Sequence, residues 1–151
     1  MEAIYLIGHD SHALNIIRQA KELGTKEILA SNWILASPTV RQGKEVLLED
    51  VLFTSPDFYW AETPKQRNFR IKFSERHGTP PTAYSALGCD VIDLIEQQPA
   101  KSIGLTLRKL HQYDGTIGKV SSSVDGSLEF ELYPVKFKDG RIVELEREVN
   151  K

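Results

Sequence analysis

The chain has 151 residues, about one domain's worth and enough for a sizeable core; 40% are hydrophobic and 26% charged, the balance of a globular protein. With 19 Lys and Arg against 21 Asp and Glu the formal charge is −2, and no basic patch interleaved with aromatics is present, which argues against nucleic acid as a partner. No apolar run approaches the roughly 20 residues of a membrane-spanning helix, and no charged start followed by an apolar stretch marks a signal peptide.

Ile4 to Ile7 is an unbroken apolar run, as in a strand covered on both faces. Asp10 or Ser11 is placed to cap the helix that follows. Ala13, Ile16, Ile17, Ala20 and Leu23 then fall on one helical face, and Gly24 stands where a left-handed terminal residue is wanted. Ile28 to Ala30 is a second apolar strand. Strand, helix and strand with short links form a right-handed βαβ unit, which implies a parallel sheet. Ser37-Pro38 starts a short helix ending near Gly43. Val51 to Thr54 is a third strand, halted by Pro56. Residues 1 to about 55 therefore read as half of a doubly wound α/β sheet. The chain starts almost directly in a strand, with no lead-in, as a trimmed chain does.

The composition changes after Pro56. Asp57 to Glu62 is aromatic and irregular, a crossover segment. Thr63-Pro64 starts a helix that carries Phe69 and Phe73 and stops at His77-Gly78. Thr82 caps the longest helix, with Tyr84, Leu87, Val91, Leu94 and Ile95 on its apolar side. A shorter helix carries Ile103, Leu107 and Leu110. Beyond Asp114-Gly115 the pattern is β: a strand at Ile117 to Val120, a turn at Asp125-Gly126, alternation through Leu128, Phe130 and Leu132 and again at Val135 and Phe137, and a hairpin turn at Asp139-Gly140 answered by Ile142-Val143. Glu144 to Lys151 is a charged tail.

Chemistry-bearing residues gather at two places. His9, Asp10, Ser11 and His12 lie just past the carboxyl end of the first strand, where open α/β sheets bind ligands. The helix start there offers free backbone N–H groups to an anion; equally, Asp10 or Ser11 only caps the helix and the histidines face solvent. Asn32 and Trp33 follow the second strand on the same edge. Trp33 is either a core plug or a stacking wall for a ligand. Metal is not expected, because no cysteine or second cluster joins the histidines and a closed site needs about four ligands. The single cysteine, Cys89, forms no internal disulfide and sits inside a helix pattern, packed rather than reactive. Gly-x-Ser-x-Gly, the dinucleotide fingerprint and the P-loop are absent, so no catalytic residue and no cofactor is expected.

Lined up in order, these pieces resemble the type 1 periplasmic binding proteins, specifically the branched-chain amino acid (Leu/Ile/Val) receptor family of ABC transporters. Five stretches carry the resemblance: Ala3 to Gly8 running into Ile17 to Gly24; Ile28 to Trp33; Glu49-Asp50-Val51-Leu52-Phe53-Thr54; Tyr84-Ser85-Ala86-Leu87; and Gly115-Thr116-Ile117-Gly118-Lys119-Val120 with Asp125-Gly126 and Asp139-Gly140. Each is weak alone; their sequence along nearly the whole chain is fairly specific.

The resemblance implies the C-terminal part of a two-lobed protein normally more than twice this long. Residues 1-56 would be the α/β part of the second ligand-binding lobe, 57-115 helices of the first lobe, and 116-151 C-terminal strands and a charged tail. It implies an extracytoplasmic or periplasmic solute-binding protein, not an enzyme, that clamps a small organic molecule between lobes for ABC transport. Its partners would be that ligand, a missing N-terminal lobe or a second copy of the chain, and a membrane permease met by the full-length protein. A ligand-sensing regulatory domain of a signalling protein is the alternative. In the family's amino-acid receptors an aromatic stands where His9 is here, and a carboxylate that pairs the ligand's ammonium stands at the position of Trp33. Trp33 departs from that pattern, which leaves amino-acid-like and aromatic ligands both open.

Overall fold

The computed structural model describes residues 2–97, 104, 107, 108 and 110–145. The chain divides into two compact units. Residues up to Ser55, with those from Tyr133 onward, form the first; Pro56–Leu132 form the second.

The first unit is a five-stranded sheet with helices. Its strands are β1 (Ala3–Leu6), β2 (Ile28–Ser31), β3 (Leu52–Ser55), β7 (Tyr133–Lys138) and β8 (Arg141–Glu144), lying side by side in that order. β1, β2 and β3 are parallel, as the short strand-helix-strand spacing requires; β7 and β8 add on antiparallel. Between β1 and β2 runs α1 (Asp10–Glu22), which buries Ala13, Ile17 and Ala20 and ends at Leu23 with Gly24 left-handed at φ 71°. Its apolar stripe is narrower than expected, for Ile16 and Leu23 are exposed. A 3-10 turn (Trp33–Ala36), α2 (Pro38–Arg41) and α3 (Glu45–Leu48) lead to β3. The core joins Leu29, Phe53, Val135 and Phe137 of the sheet to Leu35, Ala36, Val40, Leu48 and Val51, with the Phe53 and Phe137 rings 4.9 Å apart. The β7–β8 turn places both Asp139 (φ 50°) and Gly140 (φ 71°) in the left-handed region, as a two-residue hairpin with matched twist demands.

β1 departs from its expected burial. Only Leu6 is buried, because β1 is the outermost strand and has β2 on one side alone.

In the second unit, α4 (Pro64–His77) follows the reading residue for residue. Thr63 accepts the Gln66 N–H, Pro64 opens the first turn, and Gly78 closes the helix at φ 68°. Phe58, Phe69, Phe73 and His77 stack along it, and Arg70 donates to the Phe58 and Ala61 carbonyls at 2.7 and 3.1 Å. α5 (Ala83–Glu96) starts at a reciprocal cap between Thr82 and Ser85. Its buried face is a correction: Ala83, Ala86, Asp90 and Leu94 are inside, whereas Tyr84 is 65% exposed and Val91 and Ile95 are also exposed. Asp90 is the reason, as its carboxylate is drawn inward by backbone donors described below. The helix expected around Ile103 lies largely outside the described residues.

A three-stranded antiparallel sheet, β4 (Tyr113–Asp114), β5 (Lys119–Ser122) and β6 (Leu128–Phe130), completes the unit. β5 begins two residues later than expected because Thr116 and Ile117 form a buried turn instead. Residues 116–132 thus lie in the second unit and Tyr133 onward in the first. No helix among the described residues is long and apolar enough to cross a membrane.

Candidate functional site

In the first unit the carboxyl ends of β1 and β2 are tied together. Leu6 and Ser31 are register partners, and the buried Ser31 hydroxyl donates to the Leu6 carbonyl at 3.0 Å. The two stretches that leave this joint are Ile7-Gly8-His9 and Asn32-Trp33. All five residues expected from sequence to bind ligand, His9, Asp10, Ser11, Asn32 and Trp33, therefore emerge at one edge of the sheet.

Their local roles differ from simple capping. The residue preceding the helix is His9, extended at φ −69° and ψ 154°, and its carbonyl accepts the N–H groups of His12 and Ala13 at 3.1 and 3.0 Å. Its side chain makes no cap hydrogen bond. Neither Asp10 nor Ser11 holds the capping position, because the helix already starts at Asp10. The Asp10 carboxylate instead accepts the Ser11 N–H at 2.7 Å, an acid in the first turn where the helix dipole favours it. The His9 and His12 rings are exposed and meet edge to face, with centroids 6.1 Å apart. Asn32 caps the 3-10 turn by accepting the Ile34 N–H at 3.1 Å. The buried Leu35 and Ala36 anchor that turn and hold Trp33, half-buried, at its start. The edge thus presents two imidazoles, a carboxylate, an amide and an indole on rigid supports. Such a set suits a small polar molecule with a flat or apolar part.

A cavity of about 480 Å³ in the first unit lies away from this edge, at the amino ends of β2 and β3, beside Lys21, Ile28, Asp50, Leu52 and Lys136. No group of three or more potential metal ligands occurs among the described residues.

The second unit holds a polar network that sequence reading missed. Asp90, buried in α5, accepts the Thr116 and Ile117 N–H groups at 2.5 and 2.8 Å. Gly115 and Gly118 flank that turn for lack of room: a Cβ on Gly115 would stand 2.6 Å from Asp90 Oδ2, and one on Gly118, at φ 125°, would stand 2.7 Å from Asp57 Oδ1. Lys65 lies 3.7 Å from Asp90 and Asp93 and donates to the Tyr113 hydroxyl and the Asp114 carbonyl. Partial burial works against its charge, but the Tyr113 hydroxyl and the two carboxylates prevail and hold its pKa above the usual lysine value. Asp57 accepts the Gln66 amide at 2.7 Å. Burial chiefly, with the Glu131 charge, raises the Asp57 pKa against that hydrogen bond. Burial, then the charges of Asp93 and Asp90, also raises the pKa of the Cys89 thiol, which is partly exposed. The signal for the network was there: a carboxylate at position 90 within the spacing 83, 86, 90, 94, followed by Gly-x-x-Gly.

No protein-family model matches the sequence, and no curated protein matches it. Solved structures do match, and the class they define is the type 1 periplasmic binding protein fold, with its parallel-rich sheet and helices. Several of the structural neighbours are described as leucine-binding or branched-chain amino acid ABC transporter proteins. The leucine-binding protein LivK from Thermotoga maritima aligns with a TM-score of 0.72 and 24% identity over 95% of this chain and 43% of that one. A putative branched-chain amino acid ABC transporter protein from Rhodospirillum rubrum gives 0.79 and 18% over 95% and 44%. LivJ from Streptococcus pneumoniae, in complex with isoleucine, gives 0.73 and 18% over 93% and 42%. The chain spans less than half the length of each, and the likeness is one of fold.

Proposed function

We propose that this chain is part of an extracytoplasmic solute-binding protein of the branched-chain amino acid receptor family, a non-catalytic carrier that presents a small organic ligand to an ABC permease. The observation that carries the reading is the Ser31–Leu6 joint, which sets His9, Asp10 and Ser11 beside Asn32 and Trp33 at the carboxyl ends of adjacent parallel strands. Those five residues are proposed as one wall of the site, and a complementary lobe, either an N-terminal lobe or a second copy, as the other. Within this reading residues 1-56 belong to the second lobe and 57-115 to helices of the first.

The ligand proposed is amino-acid-like or aromatic. An indole holds a cation on its face or stacks on a ring, and Asn32 and the helix start serve a carboxylate or amide. The test is calorimetric titration with L-leucine, L-isoleucine, L-phenylalanine and benzoate, run on the chain alone and with a supplied complementary lobe. Saturable binding that weakens by about tenfold or more in Trp33→Ala, roughly the loss of one good aromatic contact, supports the reading. Absence of binding in every titration, or binding indifferent to Trp33→Ala and His9→Ala, refutes it.

A further inference from the structure

Only one half of the Asn32 side chain is engaged. The 3-10 turn that follows β2 needs an acceptor for the Ile34 N–H, and Asn32 Oδ1 supplies it at 3.1 Å. A backbone N–H can face only the carbonyl end of an amide, so the turn dictates which way this side chain is set. The remaining half is the Nδ2H2 group, two donors with no partner among the described residues, on a half-buried residue. This setting holds whatever else covers the edge of the sheet, because the bond that makes it joins residues two apart in the chain.

The supports on either side are rigid. Ser31 is buried, with its hydroxyl on the Leu6 carbonyl at 3.0 Å, and Leu35 and Ala36 are buried beyond the turn. The neighbouring groups differ from Asn32 in kind. The imidazoles of His9 and His12 and the hydroxyl of Ser11 donate or accept as a partner requires. Asp10 only accepts, and one of its oxygens already takes the Ser11 N–H at 2.7 Å.

We propose, resting on the reading of this edge as one wall of a ligand site, that Asn32 is a specificity-determining residue: its Nδ2H2 group takes an acceptor oxygen of the ligand, a carboxylate or a carbonyl, and discriminates against an ammonium. The indole of Trp33 makes no such distinction, since its face receives a ring or a cation alike. An amide whose oxygen is occupied has only donors left to give. An ammonium brought against it leaves donors unpaired on both sides, and unpaired polar groups at a site are what reject the wrong ligand. The ligand class is therefore an apolar or aromatic body with an oxyanion or carbonyl end.

Asn32→Asp separates the two halves of the side chain. Aspartate caps as well as asparagine does, so an oxygen still takes the Ile34 N–H, while the donor end becomes an acceptor. Benzoate, benzamide and benzylamine share one ring and differ in the group they offer. Each is titrated calorimetrically against the 151-residue chain and against the variant, with the complementary lobe supplied to both. The wild type takes benzoate and benzamide ahead of benzylamine. In Asn32→Asp, with an unchanged circular dichroism spectrum, benzoate weakens by about tenfold or more, the loss of one charge-assisted hydrogen bond, and the preference moves towards the amine. Three results overturn the assignment: a variant that binds all three probes as the wild type does, an equal loss for all three, as when the amide holds a protein segment instead of a ligand, or a wild type that prefers benzylamine or binds none of the three. The wider reading of the edge falls with it only if L-leucine, L-isoleucine and L-phenylalanine also fail to bind.

Discussion

Replacing Asp90 by Ala tests the network that holds the second unit together. The carboxylate is 1% exposed and accepts two N–H groups, from Thr116 and Ile117, themselves buried. Each donor stranded without water or partner costs about 1–3 kcal/mol. Removing a buried carboxylate also returns its own desolvation cost, so the expected net loss is about 3 kcal/mol. The unit carries one of the two tryptophans, Trp60, and the other, Trp33, is in the first unit. Urea denaturation followed by Trp60 fluorescence in a Trp33→Phe background therefore reports on the second unit alone. With a slope of about 1–2 kcal/mol/M the midpoint falls by roughly 2 M. Asp90→Asn, which keeps one acceptor, should lose about half as much. Asp93→Ala, at a similar distance from Lys65 but on the surface, should stay within about 0.5 kcal/mol. A loss below about 0.5 kcal/mol for Asp90→Ala refutes the account, because no buried donor would then depend on it.

Three further outcomes follow from particular contacts. Ser31→Ala should lower first-unit stability by about 1 kcal/mol, read from Trp33 in a Trp60→Phe background, since it leaves the Leu6 carbonyl unpaired; an unchanged midpoint would show the joint to be incidental. Asp57, with its pKa raised above 3.8, contributes stability that is fully present below that value and is lost as pH rises through the folded pKa. Asp57→Asn keeps an acceptor for Gln66, so it should flatten that loss and stabilise the second unit at neutral pH; an unaltered pH slope would contradict the burial of this carboxyl. Asp125 is held at about 2 by the hydroxyl of Ser123 and by the hydroxyl and N–H of Ser127. Its contribution is present above 3.8 and disappears as pH falls towards about 2, and an NMR titration should move towards the ordinary carboxylate value in Ser127→Ala.

Local chemistry was the most legible part of this sequence. Thr63-Pro64 and Gly78 delimit α4 because a cap, a proline and a left-handed glycine act within one turn of chain. Asp139-Gly140 announced its hairpin for the same reason. What depended on distant residues was not legible. The inner face of α5 turns on Asp90 meeting N–H groups 26 and 27 positions away, which periodicity does not report. The exposure of β1 depends on its place at the end of the strand order, which the apolar run Ile4 to Ile7 cannot show. In the candidate site, strand-end position pointed to His9 and Trp33, but the Ser31 hydroxyl that joins their loops looked like any strand-end serine.

The second unit is inserted between two hydrogen-bonded neighbours: β3 ends at Ser55, β7 begins at Tyr133, and those residues face each other in the sheet. During synthesis the contiguous second unit is complete before β7 leaves the ribosome, while β3 waits with an open edge. Closing the intervening loop then costs roughly 4 kcal/mol of chain entropy, and doubling the insert would add only about 0.6. The length of the insert is therefore nearly free to vary. The speed with which it folds is not, because every delay prolongs the exposure of an apolar strand edge to other nascent chains.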